Sequence, residues 1–429
     1  MALGGGVFVA QNKKLAGTYI NVVSADRASA TIADRGVCAL PLQMSWGEEG
    51  KVFLVEGADF IRKSKEIFGY EYTDEHLMPM REVFKNAQKV YFYRLNTGTK
   101  ASNEFAVAKH GGVRGNDVKI IIVKNIDDES KFDVKTYLGT ELLESQTVAN
   151  AGELVANAFV EFKAEAQLAE TAGTPLTNGT DGSAVTSGDW QTALAKLESV
   201  AFNTLAVATE DEGVKALAVA YTKRLRDEQG VKFQTVVHNY DADEKGVINV
   251  ENGATAELVY WVAGAQAGCA VNKSCTNKKY DGELTINVDY TQTQLENFID
   301  EGKFVFHRVG EDVRVLTDIN SKVTVTMEEG EDFKSNQTVR VLDQIANDIA
   351  TMFNTKYLGI IPNDEQGRIS LWNDIVKHHQ QLQSIRAIEE FKPEDVQVAR
   401  GNSKKDVVVT DTVVPTNAME RLYMTVVVA

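Results

Sequence analysis

The stretch AMERLYMTVVVA, residues 418–429, governs how the rest of the chain is read. Leu422, Met424, Val426 and Val428 alternate with Tyr423, Thr425 and Val427, a period of two in residues that favour strands. Both faces turn apolar toward the end, which predicts a strand buried on both sides. An apolar strand at a chain end inserts into a sheet or becomes an aggregation site. The opposite end repeats the theme: GTYINVVSA, residues 17–25, is a second short strand behind a Gly-rich leader. Two such strands around a large body predict ends that join copies of the chain. The competing expectation is that each pairs within its own subunit, as terminal strands commonly do.

Between these ends lie enough residues for roughly two to four domains. A hydrophobic content of 43% and a charged content of 25% place the chain among ordinary globular proteins. The formal charge of −16 argues against direct contact with nucleic acid or an anionic membrane. That charge is uneven: from Thr338 onward the net is only −2, so the acidity lies upstream. Cys38, Cys269 and Cys275 give no disulfide framework and suit a reducing compartment. The most apolar run, 258–271, contains Gln266 and is too short to span a bilayer. With no basic-then-apolar leader, the chain is expected to be made in the cytosol.

Working back from the C-terminus, polar strands at 394–400 and 405–413 lead to Pro415 and the final strand. Residues 338–358 and 368–388 read as amphipathic helices. The first carries Leu342, Ile345, Ala346, Ile349 and Phe353 on one face and stops at Gly359. The second carries Leu371, Trp372, Ile375, Leu382 and Ile385 on one face, and Asn373, Lys377, Gln380, Gln381 and Ser384 on the other. From 189 to 317 helices and strands alternate, which predicts an α/β layered domain; its helix at 254–270 is rich in Ala and Gly and suited to close packing. Residues 100–170 hold alternating strand segments and read as an all-β insertion. Strands at 37–42, 52–55 and 90–95, with helices at 59–68 and 75–89, complete the N-terminal part.

No catalytic or nucleotide-binding motif stands out. Gly50-Lys51 and Gly302-Lys303 lack the hydroxyl that follows in a phosphate-binding loop. There is no GxSxG and no HExxH. Cys269 and Cys275 lack a second pair and read as structural rather than zinc ligands. Asp241-Ala-Asp243 opens like a calcium loop, but Lys245 and Asn252 occupy ligand positions, so a solvated turn is expected. His378 and His379 fall at the edges of their helix's apolar stripe and read as partly buried, hydrogen-bonded residues. Arg386 is expected to pair with Glu389 or Glu390. No cofactor or metal is expected.

Ten segments in order resemble contractile phage tail sheath proteins, in the compact form of Gram-positive phages, prophage particles and R-type bacteriocins. They are GTYINVVS (17–24), ALPLQMSWGEEG (39–50), IFGYEY (67–72), YRLNTG (93–98), LTNGTDG (176–182), YWVAGAQAG (260–268), INSKVTVT (319–326), RVLDQIANDI (340–349), DVQV (395–398) and VVPTNAMERLYMTVVV (413–428). Asn178 departs from the glycine expected there, which touches a turn only.

The resemblance implies a subtilisin-like α/β core without its protease residues, interrupted by a β domain and followed by an α+β C-terminal domain. The implied divisions are an arm at 1–25, a core at 26–98 and 183–336, an inserted β domain at 99–182 and a tube-proximal domain at 337–429. It implies no enzymatic activity but a structural subunit in stacked hexameric rings around a tail tube, contracting to drive the tube through a cell envelope. The N-arm (Thr18, Tyr19, Ile20, Val22, Val23) and the C-arm (Leu422, Tyr423, Met424, Val426, Val428) would add to the sheet of another subunit. Flexible joints are expected before Gly17 and over Thr410–Asn417. The face carrying Asn373, Lys377, Gln380, Gln381 and Ser384 would meet the tube. Implied partners are further copies of the chain, the tail tube protein, and baseplate and tail terminator proteins, with no nucleic acid and no membrane insertion. The implied place is a virion tail or bacteriocin particle assembled in the host cytoplasm. Two alternatives stand beside this reading: an α/β hydrolase-like enzyme with a β accessory domain, and the sheath of a bacteriocin or secretion-type injection machine.

Overall fold

The computed structural model describes residues 32–252 and 255–428. Its first segment lays down strands β1 (Val37–Leu42) and β2 (Val52–Glu56), helices α1 (Gly57–Phe68) and α2 (Met78–Phe84), and strand β3 (Lys89–Arg94). The helix expected over 75–89 is shorter because Pro79 opens α2 after a 3₁₀ turn at Glu75–Leu77. Seven strands follow as the insertion: β4 (Lys100–Ser102), β5 (Ala106–Gly111), β6 (Val118–Lys124), β7 (Phe132–Leu138), β8 (Glu141–Val148), β9 (Val160–Phe162) and β10 (Thr171–Pro175). The chain then returns through α3 (Ser187–Leu197), β11 (Thr204–Val207), α4 (Glu212–Lys223), β12 (Gln234–His238), β13 (Val247–Val250), α5 (Leu258–Gly268), α6 (Gln292–Asp300), β14 (Lys303–Phe304), β15 (Phe306–Val309) and β16 (Asp312–Val315). It ends with α7 (Asn336–Met352), α8 (Glu365–Ser384), β17 (Val396–Arg400) and β18 (Val407–Asp411).

The central sheet runs β14-β13-β12-β11-β1-β3-β2, parallel except for the β2 edge. Period-two alternation distributes its side chains between two cores. Cys38, Leu40, Val236 and Ile248 face α1, α2 and α5, among Phe60, Val83 and Trp261. Ala39, Leu205, Val237 and Val247 face α3 and α4, among Trp190, Leu194 and Ala218. Helix α5 is small-sided because α2 lies directly on it: a Cβ at Gly264 would sit 2.3 Å from the Val83 carbonyl oxygen. Only glycine allows that approach.

The insertion is a separate β body. Strands β10-β6-β7-β8 and β4-β5-β9 form two antiparallel sheets around Ile120, Ile122, Val134 and Phe159. Trp46, from the loop after β1, is fully buried in that core and stacks on Phe159, anchoring the insertion to the main body.

The C-terminal part packs α7, α8 and the β17–β18 hairpin around Val341, Leu371, Ile375, Leu382 and Phe391. Here an expectation is corrected. The apolar stripe of α7, Leu342, Ile345 and Ile349, is only half-buried, whereas Arg340, Asp343, Gln344 and Asp348 are buried. The polar side turns inward because the α/β body supplies its partners. Arg226 grips Asp343 with two hydrogen bonds of 2.6 and 2.8 Å. Arg340 bonds Asp318 at 3.1 Å and Gln266 at 2.6 Å. Burial pulls the Arg226 guanidinium down, but the Asp343 carboxylate outweighs it and holds it above its ordinary range.

Candidate assembly site: the terminal arm, its root and the open hairpin

The chain reaches its last residues along a fixed track. After β18, the Glu389 N–H donates to the Val414 carbonyl at 2.8 Å and the Thr416 N–H to the Ala387 carbonyl at 2.9 Å, around an Ile388–Pro415 bridge. The start of α7 then holds the chain. Gln337 Nε2 donates to the Thr416 carbonyl at 2.9 Å, its Oε1 accepts from the Ala418 N–H at 3.0 Å, and Asn417 Nδ2 donates to Thr338 Oγ1 at 3.1 Å. Two hydroxyls complete the root: Thr276 Oγ1 donates to Glu420 Oε1 at 2.6 Å and Thr317 Oγ1 to Glu420 Oε2 at 3.1 Å. The joint expected over Thr410–Asn417 is therefore corrected, since that segment is tied to α7 and to 387–389.

Beyond Glu420 the bonding stops. Residues 421–428 form no strand and make no hydrogen bond among the described residues. Leu422 is 87% exposed, Tyr423 89%, Met424 73%, Val426 72% and Val428 91%. Among the described residues, the strand expected to be buried on both faces is thus neither paired nor buried. The N-arm residues Thr18, Tyr19, Ile20, Val22 and Val23 lie outside the described residues.

Beside the root stands the β17–β18 hairpin, an antiparallel pair registered from Val396–Asp411 to Arg400–Val407. Neither strand has a second strand neighbour among the described residues. The sequence marked both as polar strands but gave no sign that the pair stays open. The hairpin is firmly mounted. Trp372 Nε1 donates to the Val396 carbonyl at 2.9 Å, and His379 Nε2 meets Asp411 Oδ2 at 2.9 Å. His378 Nε2 meets Asp348 Oδ2 at 2.9 Å, joining α8 to α7. Both imidazoles are fully buried, deeper than the helix pattern implied.

On the outer side of α8, Asn373, Lys377, Gln380 and Ser384 are exposed and Gln381 is half-buried. Arg386 does not pair with Glu389 or Glu390 among the described residues; it takes the left-handed position after α8, with φ 61. The Asp241–Gly246 turn serves the backbone: Asp243 Oδ1 accepts the Val323 and Thr324 N–H groups at 2.7 and 2.9 Å. No cluster of three or more His, Cys, Asp or Glu side chains able to hold a metal occurs among the described residues. No described helix is long and apolar enough to cross a membrane.

Root, bare arm and open hairpin make up the candidate site, and comparison with known proteins gives the chain a family. Four family models match in chain order: the domain III N-terminal region of the tail sheath protein Gp18 at 35–95, the phage tail sheath β-sandwich domain at 96–181, the phage tail sheath central domain at 183–321 and the phage tail sheath C-terminal domain at 328–429. A crystal structure of the sheath tail protein from Desulfitobacterium hafniense is 38% identical, with a TM-score of 0.83 over 94% of this chain and 98% of that one. The chain belongs to the phage tail sheath protein family.

Among curated relatives of this sheath chain, the phage-like element PBSX protein XkdK of Bacillus subtilis is 33% identical over 99% of both chains. At 12% identity the fold alone extends to the helical sheath of the anti-feeding prophage in its contracted state, with a TM-score of 0.57 over 97% of this chain and 99% of that one. Sheath membership makes the chain a component of a phage tail or contractile injection particle and points to a structural rather than a catalytic role.

Proposed function

We propose that this sheath chain polymerises as stacked hexameric rings around a tail tube and shortens to drive the tube through a target cell envelope. The observation that carries the reading is the arm: an apolar, strand-forming segment fixed at its root and bare from residue 421 onward. Its partner is the edge of another subunit's β17–β18 hairpin, which the Thr18–Val23 segment of a third copy extends from the other side. Main-chain hydrogen bonds supply the link. Burial of Leu422, Met424, Val426 and Val428 contributes about 1.5–3 kcal/mol each before ordering costs.

The parallel α/β body, subtilisin-like in architecture, and the β insertion lie outward. The nearly neutral C-terminal part faces the tube, with Asn373, Lys377, Gln380, Gln381 and Ser384 as contact residues. The extended polymer, assembled in the host cytoplasm and held by the tube, baseplate and terminator proteins, is metastable. Its collapse is driven by new contacts between subunits, released past a barrier. Phage, prophage-particle and bacteriocin sheaths share this reading of the subunit.

Electron microscopy of the full chain beside a chain ending at Glu420 tests the linkage, because that truncation keeps every bond of the root. Rings or tubes from the full chain and single particles from the truncation, with the same unfolding midpoint, are expected. Tubes from both would overturn arm linkage. If both give single particles, co-expression with a tail tube protein decides, and failure of the full chain to sheathe the tube would overturn the reading.

A further inference from the structure

His379 is fully buried near the C-terminal end of α8, yet both of its ring nitrogens meet acceptors. Nδ1 lies 2.9 Å from the Ile375 carbonyl oxygen, one turn back on the same helix. Nε2 lies 2.9 Å from Asp411 Oδ2, on strand β18. A carbonyl only accepts, so Nδ1 carries a proton. A carboxylate also only accepts, so a second proton sits between Nε2 and Asp411. A free aspartate ionises near about 3.9 and a free imidazole near about 6.5, which assigns that proton to the ring. The neighbouring His378 is placed differently. Its Nε2 donates to Asp348 Oδ2 at 2.9 Å, while its buried Nδ1 has no hydrogen-bond partner among the described residues. A charged ring there would bury an unpaired N–H, so His378 is the neutral one of the two. We infer that His379 is a buried imidazolium and a proton-dependent clamp: it holds the β17–β18 hairpin on α8 while both ring nitrogens are protonated, and releases β18 when one proton is lost.

The surroundings decide which contact yields. Phe391, from the loop after α8, packs on the ring with centroids 5.0 Å apart, and the His378 ring stands edge-on at 5.4 Å. The titratable side chains that the ring meets among the described residues are Asp411 of β18 and His378 of α8, with Asp348 of α7 behind His378. The Ile375 carbonyl belongs to a helix interior and cannot turn away. Asp411 can, because its side chain is 24% exposed. Loss of one proton therefore leaves the Nδ1–H on the helix carbonyl and makes Nε2 an acceptor that faces a carboxylate. Two acceptors at that distance repel, and Asp411 swings to water. Strand β17 keeps its own tie, from Trp372 Nε1 to the Val396 carbonyl, so the hairpin loosens along β18 first. The clamp lies within one subunit and works whatever joins the hairpin's edge.

Nitrogen NMR of the full chain with 15N-labelled histidine reads the protonation, in solution or, for sedimented tubes, by magic-angle spinning. At about pH 6, His379 should show two protonated ring nitrogens and His378 one. Amide hydrogen exchange reads the clamp. Protection of β18, corrected for the intrinsic effect of pH on exchange, should fall about tenfold or more over the interval in which Nε2 loses its proton, while protection of α7 stays level. Asp411→Asn supplies an amide that can donate to an unprotonated Nε2, so in this variant β18 should be equally protected on both sides of that interval. Should the variant not fold, the two wild-type measurements stand alone. An unprotonated nitrogen on His379 at about pH 6, β18 protection indifferent to its deprotonation, or a folded Asp411→Asn that keeps the wild-type pH dependence would each overturn the proposal.

Discussion

The Glu420 carboxylate meets the Thr276 hydroxyl at 2.6 Å across 144 residues of sequence, and this contact with its Thr317 counterpart is the last hydrogen bonding the terminal arm makes among the described residues. Two residues later Leu422 is almost fully exposed. The boundary between body and arm therefore falls after Glu420, and the direction in which the arm departs is set by two hydroxyls on the α/β body.

Removing that carboxylate separates arm direction from arm chemistry. Glu420→Ala keeps every apolar residue of the arm and touches no buried group. The unfolding midpoint should stay where it is, while the yield of ordered rings or tubes, scored by electron microscopy, should fall. Undiminished assembly would show that Asn417 and Gln337 alone suffice to aim the arm.

The Arg226–Asp343 pair is buried on both sides. Asp343→Ala strands a buried guanidinium, which costs about 3–5 kcal/mol. Urea unfolding of the variant should show a loss of that size, with the released helix α7 digested first in limited proteolysis. A loss under about 1 kcal/mol would mean that water reaches Arg226.

Asp318 gives the fold an acid limit. Burial would raise its carboxyl, but the Arg340 guanidinium and hydrogen bonds from the Cys275 N–H, Gln266 and Asn336 outweigh burial and hold it below 3.8. A carboxyl depressed on folding adds stability above its unfolded value, and that share fades as pH falls toward the folded value. Asp318→Asn should thus be less stable than the wild type at neutral pH, and the gap should narrow below about pH 4. Denaturant curves of both proteins between pH 3 and 7 give the gap directly; a gap independent of pH would contradict the assignment.

Lys377 stands on the exposed side of α8, away from the buried histidines. Lys377→Glu should fold like the parent yet sheathe a co-expressed tube less completely. Tubes sheathed to the same length would remove this face of α8 from contact with the tube.

Much of the architecture was legible because period and punctuation are local. Gly69 caps α1 at positive φ where the pattern placed the stop, and a π-helical turn over Phe353–Tyr357 carries the helical run on from α7 to just short of Gly359, also at positive φ; β6, β7 and β8 follow as strands of the insertion. What escaped was long-range. The α7 stripe of Leu342, Ile345 and Ile349 looked like a core face, but the opposite side found Asp318 and Arg226, whose nearness no spacing records. Strand β13 is only four residues, Val247–Val250, beside an acidic turn that looked like a broken calcium loop. The arm was readable as a strand-former, but a sequence does not say whether the partner strand lies on the same copy. Glu420 gave no signal at all, because its two hydroxyl partners lie more than a hundred residues upstream.

The polar seam along α7 has a mechanical consequence. Charges in close bidentate contact resist gliding past one another as aliphatic side chains can, which ties the C-terminal helices to the body. In the assembly proposed above, displacement between linked neighbours would then fall to the leash that begins at Arg421. Eight residues from Arg421 to Val428, at about 3.3 Å each, reach about 26 Å when taut. Each residue that such a linkage locked into a neighbour's sheet would shorten the slack, so grip and travel would be drawn from the same short length of chain.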